Sequence, residues 1–464
     1  MESKREITTH STLIIVSFAF GAFLVEFFQG VFTGYGYFFF ETEVGLGTLL
    51  VSLGFSIFSL WKAFSDPILG YLFDKPKKFW LKWGQKYPWI IASIIPWGLS
   101  IVFFYNVPEL DEKFSKTLVF AWLLISTITY GLFFSIFSIN YFGQIPIKFK
   151  LDSERRNLQG FMGFLSFLGM LLGALIPTFI ISYGDKKSYG KMSLVVFGLS
   201  FFFLLLINPG VQEKKILENS KLYTNSENES FYSVFKTALK QKNFRILLLI
   251  SFINQVIMSC VGGSLHYIIK YIFLEEIHVA VYLYVGYFGG ALLGTPFWVK
   301  IANRMKNTKK IFIINALIML LTMIPMFFVK KLGLIGSSIF LFPFAFSFTG
   351  FWSTIRVSIS SDVLDELSLI YGKRKESSII GIRSIFFQLG VVFQSLMFGL
   401  IHQLTDFDKN TIYQSHSAQK GIIFGFIGIP SILLIILIIF FWKNYSLTVS
   451  SVKNIKNKMM KENL

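Results

Sequence analysis

Apolar runs of about 20 residues recur along this chain, and no other feature restricts its fold so strongly. Such a run is as long as one helix crossing the hydrocarbon core of a bilayer. Only a helix satisfies its own backbone polar groups there within a single segment. Reading each run up to the charges or turns that bound it predicts spans at 12–39, 47–73, 87–106, 117–143, 158–182, 191–208, 244–274, 279–299, 309–329, 333–359, 377–402 and 420–442. Composition fits a lipid solvent: 15% of residues are charged, against about 25% in soluble domains, and 56 are phenylalanine, more than a soluble core needs. The expected fold class is an all-α polytopic membrane protein with 12 transmembrane helices.

Pro209 to Asn243 is the longest polar stretch, and it divides the spans six and six. This predicts an N-terminal six-helix bundle over 1–208, a central cytoplasmic loop over 209–243, a C-terminal six-helix bundle over 244–443 and a basic cytoplasmic tail over 444–464. Cytoplasmic loops carry an excess of lysine and arginine. Loops on the side of the termini hold about 31 of the 44 such residues, which puts both termini in the cytoplasm and the chain in a plasma or inner membrane. The same loops account for the net charge of +18; the charge is spread over many short segments rather than one face, which argues against nucleic acid. The lipid bilayer is the expected surround, with a small-molecule substrate and no obligate protein partner. Cys260 is the single cysteine and lies in an apolar run, so no intramolecular disulfide is possible. The first run is too long for a cleavable signal peptide and lacks a small-residue cleavage site.

Six plus six helices with a long central loop and basic hairpins after the second and eighth spans describe a two-bundle secondary transporter. Such carriers place their solute near the bilayer midplane. The sequence contains no GxxxxGK[ST] loop for ATP, no His/Cys ligand cluster and no Gly-x-Ser-x-Gly elbow, so a pump and an intramembrane enzyme are both disfavoured. No resident cofactor or metal is expected.

Several polar residues inside the spans carry the chemistry. Lys62 and Asp66 stand i,i+4, where two charges pair along one helix face. An unpaired charge at mid-bilayer costs about 2.5–3.5 kcal/mol, so the pair either locks helices together or sets ion coupling. Glu26 shares the first span with Gln29, Tyr35 and Tyr37. Asn140, Tyr141 and Gln144 end the fourth span, and amides beside an aromatic ring suit a hydroxyl-rich ligand. Such groups also bond simply to neighbouring helices, and both readings stand. Asn254, Gln255 and His266 on the seventh span and Trp352 and Arg356 on the tenth are read the same way. Arg383 and Gln388 lie on the eleventh span, where Arg383 either faces a cavity or snorkels to the interface. Gly160-x-x-Gly163, Gly169-x-x-x-Gly173 and Gly289-Gly290 with Gly294 read as close helix packing.

DPILGYLFD (Asp66 to Asp74) followed by WGQKYPW (Trp83 to Trp89) resembles a signature of the glycoside-pentoside-hexuronide:cation symporter family, the melibiose-permease branch of the major facilitator superfamily. SDVLDELSLIYGKRKESS is similar to that family's D-x-x-D segment (Asp362, Asp365) with Gly-x-Arg-x-Glu (Gly372, Arg374, Glu376). GAFLVEFFQG resembles its opening Gly-Ala-Phe-x-x-acid, which makes Glu26 the first-span acid that contacts substrate. The resemblance implies the major facilitator fold, alternating access and a coupling cation, H+ or Na+. It also implies gating contacts at Asp74, Asp362, Asp365 and Arg374.

The departures from the family pattern are specific. The second span of the family carries two carboxylates one turn apart; Asp66 matches the second, and Lys62 replaces the first. An ammonium supplies no oxygen ligand to a hard cation. Gln388 stands where the eleventh span usually has a lysine, Ser138 where the fourth has an aspartate, and Gly163 where the fifth has an arginine. Galactoside recognition of the melibiose type is therefore not expected. The reading is a sugar or glycoside carrier with Glu26, Asn140, Tyr141, Gln144, Trp352 and Arg383 toward the substrate. Lys62, Asp66 and Gln388 set its coupling, and sodium is disfavoured. A lysophospholipid or other amphipathic anion is the alternative substrate, and a non-transporting sensor or scaffold the alternative class.

Overall fold

The computed structural model describes residues 10–74, 83–108, 115–149, 151–213, 231–305, 307–371 and 376–462. Among these, 12 helices are long and apolar enough to cross a membrane, as the apolar runs predict. The first six are built on α1 (Thr12–Phe38), α2 (Thr48–Asp74), α3 (Tyr87–Tyr105), α4 (Ser115–Lys148), α5 (Asp152–Thr178) and α6 (Lys186–Val211). A short helix, α7 (Phe231–Lys240), lies within the stretch read as the central loop. Then come α8 (Lys242–Tyr267), α9 (Ala280–Met305), α10 (Thr308–Met326), α11 (Val329–Ser353), α12 (Ser360–Tyr371) and α13 (Glu376–Leu404). The last span joins α14 (His416–Ile423) to α15 (Ile429–Asn444) through a π turn, and α16 (Val449–Glu462) follows. Several helices overrun their apolar segments: α4 has 34 residues against a predicted 117–143. Hydropathy marks the edge of the hydrocarbon, whereas a helix stops only where its hydrogen bonds do.

The chain divides into two compact units, Met1–Leu46 with Phe64–Ser226, and Gly47–Ala63 with Glu227–Leu464. The division falls within α2, between Ala63 and Phe64. Pro67 has no N–H to offer the carbonyl of Ala63, so the helix loses a hydrogen bond at this point.

The first unit is held by α1 against α5. Gly169 and Gly173, four residues apart on α5, lay bare backbone against the carbonyls of Phe23 and Phe27. A side chain at either glycine would collide with main chain. The Tyr35 hydroxyl donates to the Ala174 carbonyl at 2.5 Å, and the Tyr105 hydroxyl to that of Val31 at 2.7 Å. Between these bonds the core is aromatic. Phe32 stacks on Tyr130 with centroids 3.8 Å apart, and Phe28 meets Trp97 edge-on at 4.8 Å.

The second unit uses the same device on α9 and α11. Gly286, Gly290 and Gly294 follow one another at four-residue spacing against Ser338, Phe342 and Phe346. The Trp298 indole donates to the Phe346 carbonyl at 2.9 Å. Gly160 and Gly163 depart from expectation: no described atom lies within 4 Å of where their Cβ atoms would stand, so they pack nothing closely. The first and seventh spans both finish in a π turn, Phe39–Glu43 and Ile268–Phe273.

Candidate solute and ion site

Lys62 and Asp66 stand one turn apart on α2. Lys62 is buried, at 7% exposure. Asp66 is half-buried, and its Oδ1 accepts a hydrogen bond from the Ser135 hydroxyl of α4 at 2.5 Å. Ser135 is a partner that the sequence does not point to, because one serine in an apolar run carries no signal of its own.

Glu26 is half-buried on α1 and lies within electrostatic reach of Tyr130 on α4. Asn140, Tyr141 and Gln144 occupy adjoining turns of α4 and are all fully buried. Asn140 donates to the Ile136 carbonyl of its own helix at 2.8 Å, and its Oδ1 has no hydrogen-bond partner among the described residues. The Tyr141 ring stacks on Phe18 at 4.6 Å, and its hydroxyl donates to the Phe18 carbonyl at 2.8 Å.

Gln144 belongs to a junction at the end of the unit where α3 begins and α4 and α6 finish. Its amide donates to the Val211 carbonyl at 2.6 Å and to Glu213 at 2.9 Å. The Glu213 carboxylate also accepts the backbone N–H groups of Gln85, at 2.6 Å, and Lys86, at 3.0 Å. Lys86 is the N-cap of α3 and Gln85 the residue before it, so a carboxylate meets the positive end of a helix dipole and satisfies the N-cap donor. Gly84 has φ +89°, and a Cβ there would strike Glu213. Lys148 closes the junction by donating to the carbonyls of Gly210 and of Gln212, the latter at 2.8 Å. Burial pushes the Lys148 ammonium down to about 8, with Glu213 pulling the other way. Tyr87 reaches Asn208 at 2.9 Å and ties the same two helix ends.

In the second unit, Asn254 on α8 is fully buried, and neither its Nδ2 nor its Oδ1 has a hydrogen-bond partner among the described residues. Gln255 donates to Ser259 at 2.9 Å, and His266 is fully buried. The Arg383 guanidinium donates to Ser251 at 3.0 Å and Ser360 at 2.8 Å, joining α13 to α8 and α12. Trp352 and Gln388 are half-buried, and Arg356 lies in the π turn Thr354–Ile359. Of the residues expected to gate, Asp362 (buried) and Asp365 sit on α12, Asp74 is the last residue of α2, and Arg374 lies outside the described residues. A second unforeseen junction stands beside Asp362. Asn243 donates to both Glu366 oxygens at 3.0 Å and accepts from the Ser446 hydroxyl at 3.1 Å. Burial raises Glu366 above the usual carboxylate range, and Asn243 restrains the rise. Burial also raises the neighbouring Tyr445 phenol, with the Asp362 and Glu366 carboxylates adding to it.

Across residues 17–449 the chain matches the family described as MFS/sugar transport protein. The chain belongs to that family. It is thus a secondary transporter of the major facilitator superfamily, of the glycoside-pentoside-hexuronide type: an integral membrane protein that moves a solute and is not an enzyme. Among relatives, the inner membrane symporter YicJ of Escherichia coli (strain K12) is 22% identical over 425 residues, covering 91% of this chain and 89% of its own length. The lactose permease of Lactobacillus helveticus is 24% identical over 229 residues, 46% of this chain and 34% of that protein. Among solved structures, a D-xylose-proton symporter superposes with a TM-score of 0.68 at 16% identity, over 95% of this chain and 98% of the other, which establishes the fold.

Proposed function

We propose that this chain carries a sugar or glycoside across the cytoplasmic membrane by alternating access, with both termini in the cytoplasm and without dependence on sodium. The match to sugar-transport proteins over residues 17–449 carries the solute class, and the relatives named as symporter and lactose permease support it. The orientation rests on the excess of lysine and arginine in the loops on the side of the termini.

Within the first unit, Glu26 and the unpartnered oxygen of Asn140 address the solute. A buried amide without a partner costs about 1–3 kcal/mol, a cost that a sugar hydroxyl offsets by donating or accepting. Tyr141, Gln144 and Arg383 hold the surrounding helices through the bonds described above. Lys62 is the built-in counter-ion of Asp66, in the place where a symporter of this type would hold sodium, and Gln388 removes a compensating positive charge from α13. A proton is then the coupling ion. Asp74, Asp362, Asp365 and Arg374 make the gating contacts.

A thermal-shift panel on detergent-purified protein tests the reading. It pairs glycosides, sugar acids and lysolipids with sodium, with potassium and at two pH values. Binding to the native state raises the melting temperature by mass action. A shift with one or more sugars, equal in sodium and potassium, is expected. Stabilisation by lysolipids alone overturns the solute class, and stabilisation by sodium alone overturns the role given to Lys62.

A further inference from the structure

A groove of about 460 Å³ opens on the second unit where α10 and α13 end and α14 runs into its π turn. Its walls are Phe327, Ile401, Leu404, Ile423 and Phe424, and the charged residue on its lining is Lys420. Of the walls, Leu404 is 73% exposed and Phe327 and Phe424 are each 41% exposed, while Ile401 is buried. Four membrane spans begin or finish around it. Phe327 follows the span Thr308–Met326, Leu404 ends Gly381–Leu404, and Lys420 lies in the first turns of His416–Asn444. Lys330, at the start of Val329–Ser353, donates from its ammonium to the side-chain amide oxygen (Oε1) of Gln419 at 2.9 Å. Lys331 stands next, its ammonium 6.0 Å from the centre of the Phe328 ring. The groove therefore sits at the level where hydrocarbon gives way to headgroups. Asp406 and Asp408 follow the end of α13 in the same connection, against Lys420 on the lining and Lys330 and Lys331 beside it in the chain.

An apolar groove gains little over bulk lipid from an acyl chain alone, because lipid tails are as apolar as leucine. Selectivity comes from the cations on the rim. An ammonium at this depth reaches the phosphate level through its own flexible stem and attracts a negative headgroup. The geometry points to a site for an anionic phospholipid, with one acyl chain lying in the groove and the phosphate on Lys420, flanked by Lys330.

Native mass spectrometry of the full-length protein decides the matter. The delipidated protein is offered phosphatidylglycerol and phosphatidylcholine with identical acyl chains. The first bound lipid is expected to be phosphatidylglycerol. Lys420→Gln is expected to weaken its retention about fivefold, the share of one lysine facing an anionic headgroup, without changing phosphatidylcholine. Lys420→Arg is expected to retain it. Equal retention of the two lipids by the wild type overturns the proposal, and that comparison needs no variant. Unchanged retention in Lys420→Gln also overturns it. So does displacement of phosphatidylglycerol by millimolar inorganic phosphate, which would mark a simple anion site.

Discussion

A carboxylate that accepts two adjacent backbone N–H groups and a side-chain amide does more for the first unit than any ion pair on its surface. Glu213 does this for the opening of α3. Hydrogen bonds to charged groups contribute about 1.5–3 kcal/mol, so Glu213→Ala is expected to destabilise the protein by about 2 kcal/mol or more. Glu213→Gln, which keeps one acceptor, is expected to cost less; thermal unfolding in detergent ranks the two. Gly84→Ala strains a positive φ and drives a methyl group into the same carboxylate, and so also lowers the melting temperature. Lys148 supplies a pH dependence. Its pKa falls from 10.5 to about 8 on folding, so between these values the unfolded chain binds more protons and stability rises with pH. The gain is complete above about 10.5 and is lost as the pH falls through about 8; Lys148→Gln is expected to flatten the melting-temperature profile over that window. None of this was legible in the residues themselves. Glu213 reads as one more charge in a polar loop, and Gly84 with Gln85 reads as part of a family signature. Their meaning comes from three helix ends meeting, which no spacing in the sequence reports. Lys62, by contrast, was legible at once, because a lysine in an apolar run is anomalous wherever it folds.

At the scale of helices, four-residue glycine spacing supports both tight pairs, α1 on α5 and α9 on α11. Gly290→Leu places a side chain against the main chain of Phe342, and overpacking of this kind costs about 1–3 kcal/mol. Gly160→Ala is the contrasting case: with open space around it and a helical backbone, alanine is expected to stabilise by about 0.5–1 kcal/mol. Folded yield and thermal unfolding of the two variants should move in opposite directions. The apolar runs placed the twelve spanning helices, since each must solvate about 20 residues in lipid, but not the short helices α7, α12 and α16. They could not say which glycines face a partner. Gly169-x-x-x-Gly173 and Gly160-x-x-Gly163 look alike in sequence, yet only the former meets another backbone. Gly286 went unnoticed beside the Gly289-Gly290 pair, although it faces Ser338.

For the whole molecule, the count of twelve spans and the family were open to reading because topology and three ordered motifs carry them. The boundary of the compact units within α2 was not, since Ala63 and Phe64 continue one apolar run without interruption. The proposed independence of sodium turns on α2. Two carboxylates one turn apart would make an oxygen-rich cation site, and Lys62 leaves only one. The most direct test is solute uptake into proteoliposomes at fixed pH, with external sodium or potassium, for the wild type, Lys62→Asp and Asp66→Asn. The account predicts equal sugar uptake in the two salts for the wild type and a new sodium dependence in Lys62→Asp. Sodium-stimulated uptake in the wild type that disappears in Asp66→Asn would contradict it.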